Sequence, residues 1–346
     1  MRRSTKTIRR TFGATVLGFT LVEAMVSMAI GGIIITAAAS SVTMINKQIY
    51  YVTKSTNVDD DIKHIEEYLA SMVQEAGGGV VKAGQAIRVF ETAGEADELV
   101  ISLPGDFDTD CQIGSFNNFA SGNPTSFSID FPKEDLDGDG VNEHCCLEGM
   151  PVNTEMTLLP AAGPAATFMV RNYVNSGSSC RITSLDFSPL DASNVAEISA
   201  SLVGMVPLGG SISSVTRVRI TLDPVTHTLQ ASWNDNGSVR TQTITDRVHD
   251  FQVSLGFDSI DGNGVLFNDG SPTDEWIGNH AADSRLTIAA ADEDLRLVTI
   301  GVVVAEHHTG KHESATLLNG PTISPGDSIV RKGMTTIGVR NTNTFE

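Results

Sequence analysis

GFTLVEAMVSMAIGGIIITAAASSVTMI, Gly18 to Ile45, is the stretch on which the reading of this chain turns. From Ala24 to Ile45 there are 22 consecutive residues without a charge. About 20 apolar residues suffice to cross a bilayer as a helix, so a transmembrane segment is predicted over about 19–45. Five basic side chains precede it (Arg2, Arg3, Lys6, Arg9 and Arg10), with no acid among residues 1–18. That asymmetry predicts a cytoplasmic N-terminus and an exported remainder. An ordinary signal anchor shares all of this. What it lacks is Glu23, a carboxylate inside the apolar stretch. An ionised side chain there costs roughly 2.5–3.5 kcal/mol on insertion scales and is rarely present without a partner.

The hexapeptide Gly18–Glu23 (GFTLVE), at the junction of basic leader and apolar run, resembles the prepilin peptidase site of type IV pilins and type II secretion pseudopilins. The resemblance implies that residues 1–18 are a cleaved leader, that cleavage follows Gly18, and that Phe19 becomes an N-methylated terminus. It further implies that Glu23 pairs with the N-terminal amine of a neighbouring subunit. The implied partners are prepilin peptidase, other major and minor pilins met through the N-terminal helix, and the bacterial inner membrane. The implied location is a membrane anchor with a periplasmic head, then a cell-surface pilus or a periplasmic pseudopilus. Cleavage would leave a positive amine in a lipid-like core, for which a buried carboxylate is a natural counter-ion. Two other export signals compete: Ala37-Ala38-Ala39 as a small-residue cleavage site, and Arg9-Arg10-Thr11-Phe12 as a twin-arginine signal. Neither accounts for a Glu in the hydrophobic region.

No proline occurs in the first 103 residues, and after Phe19 the first strong breaker is Gly77-Gly78-Gly79. One helix over 19–76 is predicted, roughly 87 Å long at 1.5 Å per residue. Gly31-Gly32 is its weak point. Past the apolar run the hydrophobic positions thin to Ile45, Ile49, Val52, Val58, Ile62, Ile65, Leu69 and Met72. Steps of three and four there predict an amphipathic helix with one buried face. Beyond Val80 the runs become short: Glu98–Leu103, Val215–Leu222, His227–Trp233, Val239–Thr245, Phe251–Phe257 and Leu295–Val304. Alternation between turns of Asn, Asp, Gly and Pro predicts antiparallel sheet. The fold class is α+β: a long N-terminal helix packed on an antiparallel-sheet head over 80–346. Residues 105–185, rich in Gly, Ser, Asn and Pro, read as a loop-rich insertion that carries all four cysteines.

Three stretches of the head, Glu66–Gly78, Arg247–Gly264 and Met334–Asn341, resemble PilW-type minor pilins and, less closely, GspJ-type pseudopilins. The long insertion departs from that pattern.

The 346-residue chain has a net charge of −19; without the five basic residues of the leader it carries 18 basic against 42 acidic residues, a net of −24. A body that acidic repels nucleic-acid backbones, which excludes a broad nucleic-acid surface. Cys111, Cys145, Cys146 and Cys180 are an even set in a chain with an export signal and read as two disulfides. Adjacent Cys145 and Cys146 are poorly placed to bond each other, so Cys111 takes one and Cys180 the other; which takes which stays open.

Asp135, Asp137, Asp139, Val141 and Glu143 alternate along one loop with glycines between, the pattern by which a short loop wraps a hard cation. Calcium is the expected cofactor there; the other reading is a solvated acidic turn. Asp258, Asp261, Asn263 and Val265 form a weaker version, equally readable as an Asn/Gly turn. His307, His308 and His312 read as an exposed hairpin loop rather than a metal site. The sequence has no Walker loop, no H-E-x-x-H and no G-x-S-x-G. It is therefore read as a structural subunit, a minor pilin in type IV pilus initiation and assembly or else a pseudopilin of a type II secretion system. A membrane-anchored periplasmic enzyme or binding protein is the reading from another class, and it requires a pocket of converging polar groups.

Overall fold

A computed structural model describes residues 20–77, 86–90, 95–105, 107, 111–117, 128–135, 140, 142, 144–159, 166–177, 179–191, 210–257, 276–278, 295–318 and 320–339. The chain divides into two compact units, Met1–Thr53 and Lys54–Glu346. Helix α1, Leu21–Glu75, contributes to both.

In the first unit, α1 is regular through Gly31-Gly32, where the sequence suggests weakness. Its apolar side chains are exposed, Leu21, Met28 and Ile35 by more than 70%. Four hydroxyl side chains among them fold back on their own helix. Thr36 donates to the Gly32 carbonyl (2.8 Å), Ser40 to Thr36, Ser41 to Ala37 and Thr43 to Ala39 (2.9 Å each). Each hydroxyl is thus satisfied internally, which removes most of its cost in an apolar medium. Ile45, Ile49 and Val52, expected on the buried stripe, are exposed instead. They continue the lipophilic surface, and the buried stripe begins at Val58.

In the second unit, α1 buries Val58, Ile62, Ile65, Leu69, Met72 and Val73, spaced to form one face. Each such side chain contributes roughly 1.5–3 kcal/mol of gross hydrophobic stabilisation. Ala76 and Gly77 end the helix. Gly77 adopts φ 79°, which favours glycine, and its N–H donates to the Ser102 carbonyl at 2.9 Å.

Fifteen strands follow among the described residues. They are β1 (Ile87–Phe90), β2 (Glu98–Pro104), β3 (Cys111–Gln112), β4 (Ser115–Asn117), β5 (Ser128–Phe131), β6 (Glu155–Leu159), β7 (Ala166–Ser176) and β8 (Ser179–Phe187). Then come β9 (Ser211–Asp223), β10 (Thr228–Asp235), β11 (Ser238–Thr245), β12 (Val248–Phe257), β13 (Trp276–Ile277), β14 (Leu295–His312) and β15 (Asp327–Gly338). All pairings are antiparallel. One sheet runs β1-β2-β9-β6-β7-β8-β5-β4, with β3 and the β10–β11 hairpin also joined through β9; a four-stranded sheet runs β13-β12-β14-β15. The fold is α+β, a long helix with an antiparallel-sheet head.

Strand β9 is the spine. Its Ser211–Ser214 end pairs with β6, while Val215–Ile220 pairs with β2 and Val218–Asp223 with β10. Val215, Val218 and Ile220 enter the core formed with α1, β12 and β14, whereas Ile212 enters a second core built by residues 105–190. Residues 105–185 thus contribute strands to the main sheet as well as loops. Two disulfides staple this second core, Cys111–Cys146 and Cys145–Cys180.

Candidate processing and assembly site

Helix α1 begins in a Thr-Leu-Val-Glu sequence whose side chains close on one another. Glu23 Oε2 accepts hydrogen bonds from the Thr20 N–H and the Thr20 hydroxyl, both at 3.1 Å, and the Glu23 N–H donates to Thr20 Oγ1 at 3.2 Å. This is a capping box, in which a hydroxyl at the helix start and a carboxylate three residues on satisfy each other's backbone donors. A carboxylate in the first turn also faces the positive end of the helix dipole. The T-x-x-E signal was legible in the sequence but escaped a reading that treated Glu23 only as an assembly group. Both Thr20 and Glu23 are exposed. Gly18 and Phe19 lie outside the described residues.

The helix beyond Glu23 is long and apolar enough to cross a membrane: its most apolar window has mean hydropathy 2.0 and is 0% buried. The prokaryotic N-terminal methylation motif matches residues 15–39, which include Gly18, Phe19 and Glu23. The chain carries a type IV prepilin motif. That motif implies removal of a leader by a peptidase, and the helix it runs into is of a length and apolarity to anchor the chain in a membrane. No curated protein matches the chain. Among solved structures, a type IV-like pilin from Thermus thermophilus aligns with 82% of this chain and 97% of its own, at 7% identity and a TM-score of 0.34. At that level the likeness carries no weight.

At the first acidic loop, only the rim is described. The Asp135 carboxylate accepts from the Gly140 N–H at 2.8 Å, with Gly140 at φ 86°. Backbone hydrogen bonds of 3.0 Å in both directions between Glu134 and His144 close the neck, next to Cys145. Asp137, Asp139, Val141 and Glu143 lie outside the described residues, as do Asp258, Asp261, Asn263 and Val265 of the second acidic loop. Among the described residues no three His, Cys, Asp or Glu side chains are grouped to hold a metal. His307 and His312 are exposed, and His312 pairs with Asp327 at 3.2 Å.

A cleft of about 270 Å³ opens between the start of β6, β9 and the β10–β11 turn. Its amides are committed to the fold. Asn153 donates to the Asn236 carbonyl and accepts from Arg171, and Asn234 donates to the Asn153 carbonyl.

One group of charges had no signal in the sequence. Arg247, at φ 68°, donates to Glu306 and pairs with Asp61 of α1 at 2.6 Å, while Lys54 of α1 pairs with the other oxygen of Glu306. Burial works against ionisation of Glu306, but hydrogen bonds from Lys54 and Arg247 outweigh it and hold the carboxyl below its ordinary range. At Asp61 burial wins over Arg247, and its carboxyl is pushed up. Because partners are mutually satisfied, removing one leaves a costly unpaired charge. This network locks the base of the helix stripe onto the β11–β12 turn and β14.

Proposed function

We propose that this chain is a minor pilin, cleaved after Gly18, N-methylated on Phe19, and inserted through α1 into a type IV pilus whose initiation and assembly it serves. The observation that carries the reading is the methylation motif over residues 15–39, running into a helix whose exposed apolar surface holds one carboxylate, Glu23. A pseudopilin of a type II secretion system uses the same signal and the same assembly physics. Mass spectrometry of the mature chain tests the processing: a methylated Phe19 is expected, and an intact Met1 or a start at Ser40 would overturn it. A bulky residue in place of Gly18 should block leader removal. Recovery of the chain in sheared surface filaments supports the pilus, and recovery only with periplasmic secretion machinery supports the pseudopilus. Glu23→Ala should leave insertion intact, or improve it, and lower incorporation into filaments.

We also propose calcium as a structural ion at Asp135–Glu143. The supporting observation is the Asp135 carboxylate accepting the Gly140 N–H beside a neck closed by backbone bonds. Calcium at a hundredfold excess over Kd should stabilise the head by roughly 2.7 kcal/mol. The gain should vanish in the Asp137→Ala, Asp139→Ala double variant. Identical melting with calcium and with chelator would reduce the loop to an acidic turn.

A further inference from the structure

The two disulfides interleave along the chain: Cys111 bonds Cys146 and Cys145 bonds Cys180, each across a separation of 35 residues. The other division of the adjacent pair, Cys111 with Cys145 and Cys146 with Cys180, closes loops only one residue shorter. Closure entropy follows the logarithm of loop length, so it favours neither division. An unfolded chain that meets an oxidant therefore makes both.

The fold separates them, but at different stages. Cys180 lies in β8, opposite Phe131 of β5 and Asn175 of β7, and the Glu134–His144 bridge ends next to Cys145. All of these partners lie within residues 128–187, and contacts close in sequence form early. Cys111 lies in β3, which is seated on Ile212 of β9, far downstream. The contact that places Cys111 is thus made late, when Cys145 and Cys146 have both already been within its reach.

We propose that Cys145 and Cys146 are an exchange pair, each the nucleophile that corrects a wrong bond to the other, so that the chain sorts its own disulfides once an external disulfide has oxidised it. When Cys111 has bonded Cys145, the Cys146 thiolate attacks Cys111 Sγ. The Cys111–Cys146 bond forms, the Cys111–Cys145 bond breaks, and Cys145 leaves as a thiolate. A Cys146–Cys180 bond is corrected in the same way by the Cys145 thiolate attacking Cys180 Sγ. Neither exchange changes the oxidation state of the chain. The two electrons and two protons given up for each bond go to the external disulfide, which becomes two thiols. The attacking thiol is on the very next residue, so it acts at the high local concentration of an intramolecular group. With both native bonds closed no free cysteine remains and Cys111, Cys145 and Cys180 are buried, which locks the pairing. The oxidant belongs to an oxidising compartment, so the step rests on the exported head proposed above. The exchange itself is tested on purified chain and is judged separately from that reading.

In the test, the full-length Cys180→Ser variant in detergent is unfolded and oxidised with diamide, which brings no thiol, and the excess is removed. Alkylation and fragment masses should find the free thiol about evenly shared between Cys145 and Cys146. On dilution from denaturant without added thiol it should collect at Cys145, about tenfold faster at pH 8 than at pH 7 because the thiolate attacks. An even share that persists until glutathione is added overturns the proposal. The second measurement keeps all four cysteines. Unmutated chain given half the diamide it needs is diluted, with its thiols free or alkylated beforehand, and then fully oxidised. Free thiols should yield only the native pairs, and alkylation should freeze the mixture of first bonds. A non-native pair that survives with thiols free, or first bonds that are already native with thiols blocked, overturns the assigned exchange.

Discussion

Gly333 of β15 lies under α1, and a β-carbon there would sit 2.2 Å from Ile62 Cγ2 and 2.9 Å from Glu66 Oε1. The Glu66 carboxylate ends a flexible side chain and can swing aside. The Ile62 methyl is attached at Cβ, in a residue 8% exposed and packed in the main core, so it moves only if the helix moves. Gly333→Ala therefore overpacks the contact, at a typical cost of about 1–3 kcal/mol. A gain of about 0.4–1 kcal/mol from the stiffer unfolded chain offsets part of this, leaving a net loss of about 1–2 kcal/mol. Ile62→Ala alone creates a cavity and costs about 2–5 kcal/mol. In the double variant the new methyl enters that cavity, so the combined loss should fall short of the sum by about 1 kcal/mol or more. Ile62→Val keeps the clashing Cγ2 methyl on Cβ and should give no relief. Urea unfolding of the full chain in detergent, followed by the sheet signal in circular dichroism, measures all four variants. A neutral Gly333→Ala, or a double variant additive within about 0.5 kcal/mol, would refute the seating of α1 on β15.

Three further outcomes follow from the charges and cross-links. His249 stacks on His227 with ring centroids 3.9 Å apart, and burial, helped by the charge of His227, lowers its pKa to about 4. The unfolded chain takes up that proton near pH 6.5, so stability should fall as pH drops from about 6.5 towards 4. The loss is about 1–2 kcal/mol after allowance for the half-buried ring, and His249→Phe should flatten the slope in pH-dependent melts. Glu306→Gln removes the negative charge that Lys54 and Arg247 share, leaving Arg247 its pairs with Asp61 and Asp246, and should cost about 1–3 kcal/mol at neutral pH. Because the Glu306 carboxyl is held low when folded, its contribution is lost as pH falls through that value, and unfolding curves of variant and wild type should converge in acid. Cys145 and Cys180 are 35 residues apart, so Cys145→Ser, Cys180→Ser should cost about 4 kcal/mol by loop entropy, read as a lowered denaturant midpoint.

The sequence discloses what repeats locally and hides what is assembled from afar. Val58 to Met72 announce their face because helical spacing is a local property, and β2, β9, β10, β11, β12 and β14 fall where alternation meets turn residues. Strands β6, β7 and β8 were submerged in a span whose Gly, Ser, Asn and Pro read as loop, since composition averages over strand and connection alike. The cysteine pairing was undecidable because both ways of splitting Cys145 and Cys146 close loops of nearly the same size. What decides it is sheet order: β8 carries Cys180 opposite Phe131 of β5, while β3 carries Cys111 beside Ile212 of β9. The Lys54–Glu306 pair spans 252 residues and leaves no trace in any window.

Glu23 is where a local and a remote role meet. Its Oε2 receives both bonds from Thr20, and no bond to Oε1 is found among the described residues. A carboxylate has lone pairs enough for both tasks. One oxygen can fix the start of α1 while the other faces the methylated amine of a neighbour, so a helix cap and an assembly counter-ion do not exclude each other. They do differ in what they need. The cap needs an acceptor oxygen, which Gln supplies, and Gln is itself common at this position of a capping box. The counter-ion needs the negative charge, which Gln lacks. Glu23→Gln thus keeps the first and deletes the second. A loss of filament incorporation in Glu23→Gln as severe as in Glu23→Ala assigns the residue to the charge. Incorporation at wild-type level with Gln, and loss only with Ala, assigns it to the cap and removes the assembly role.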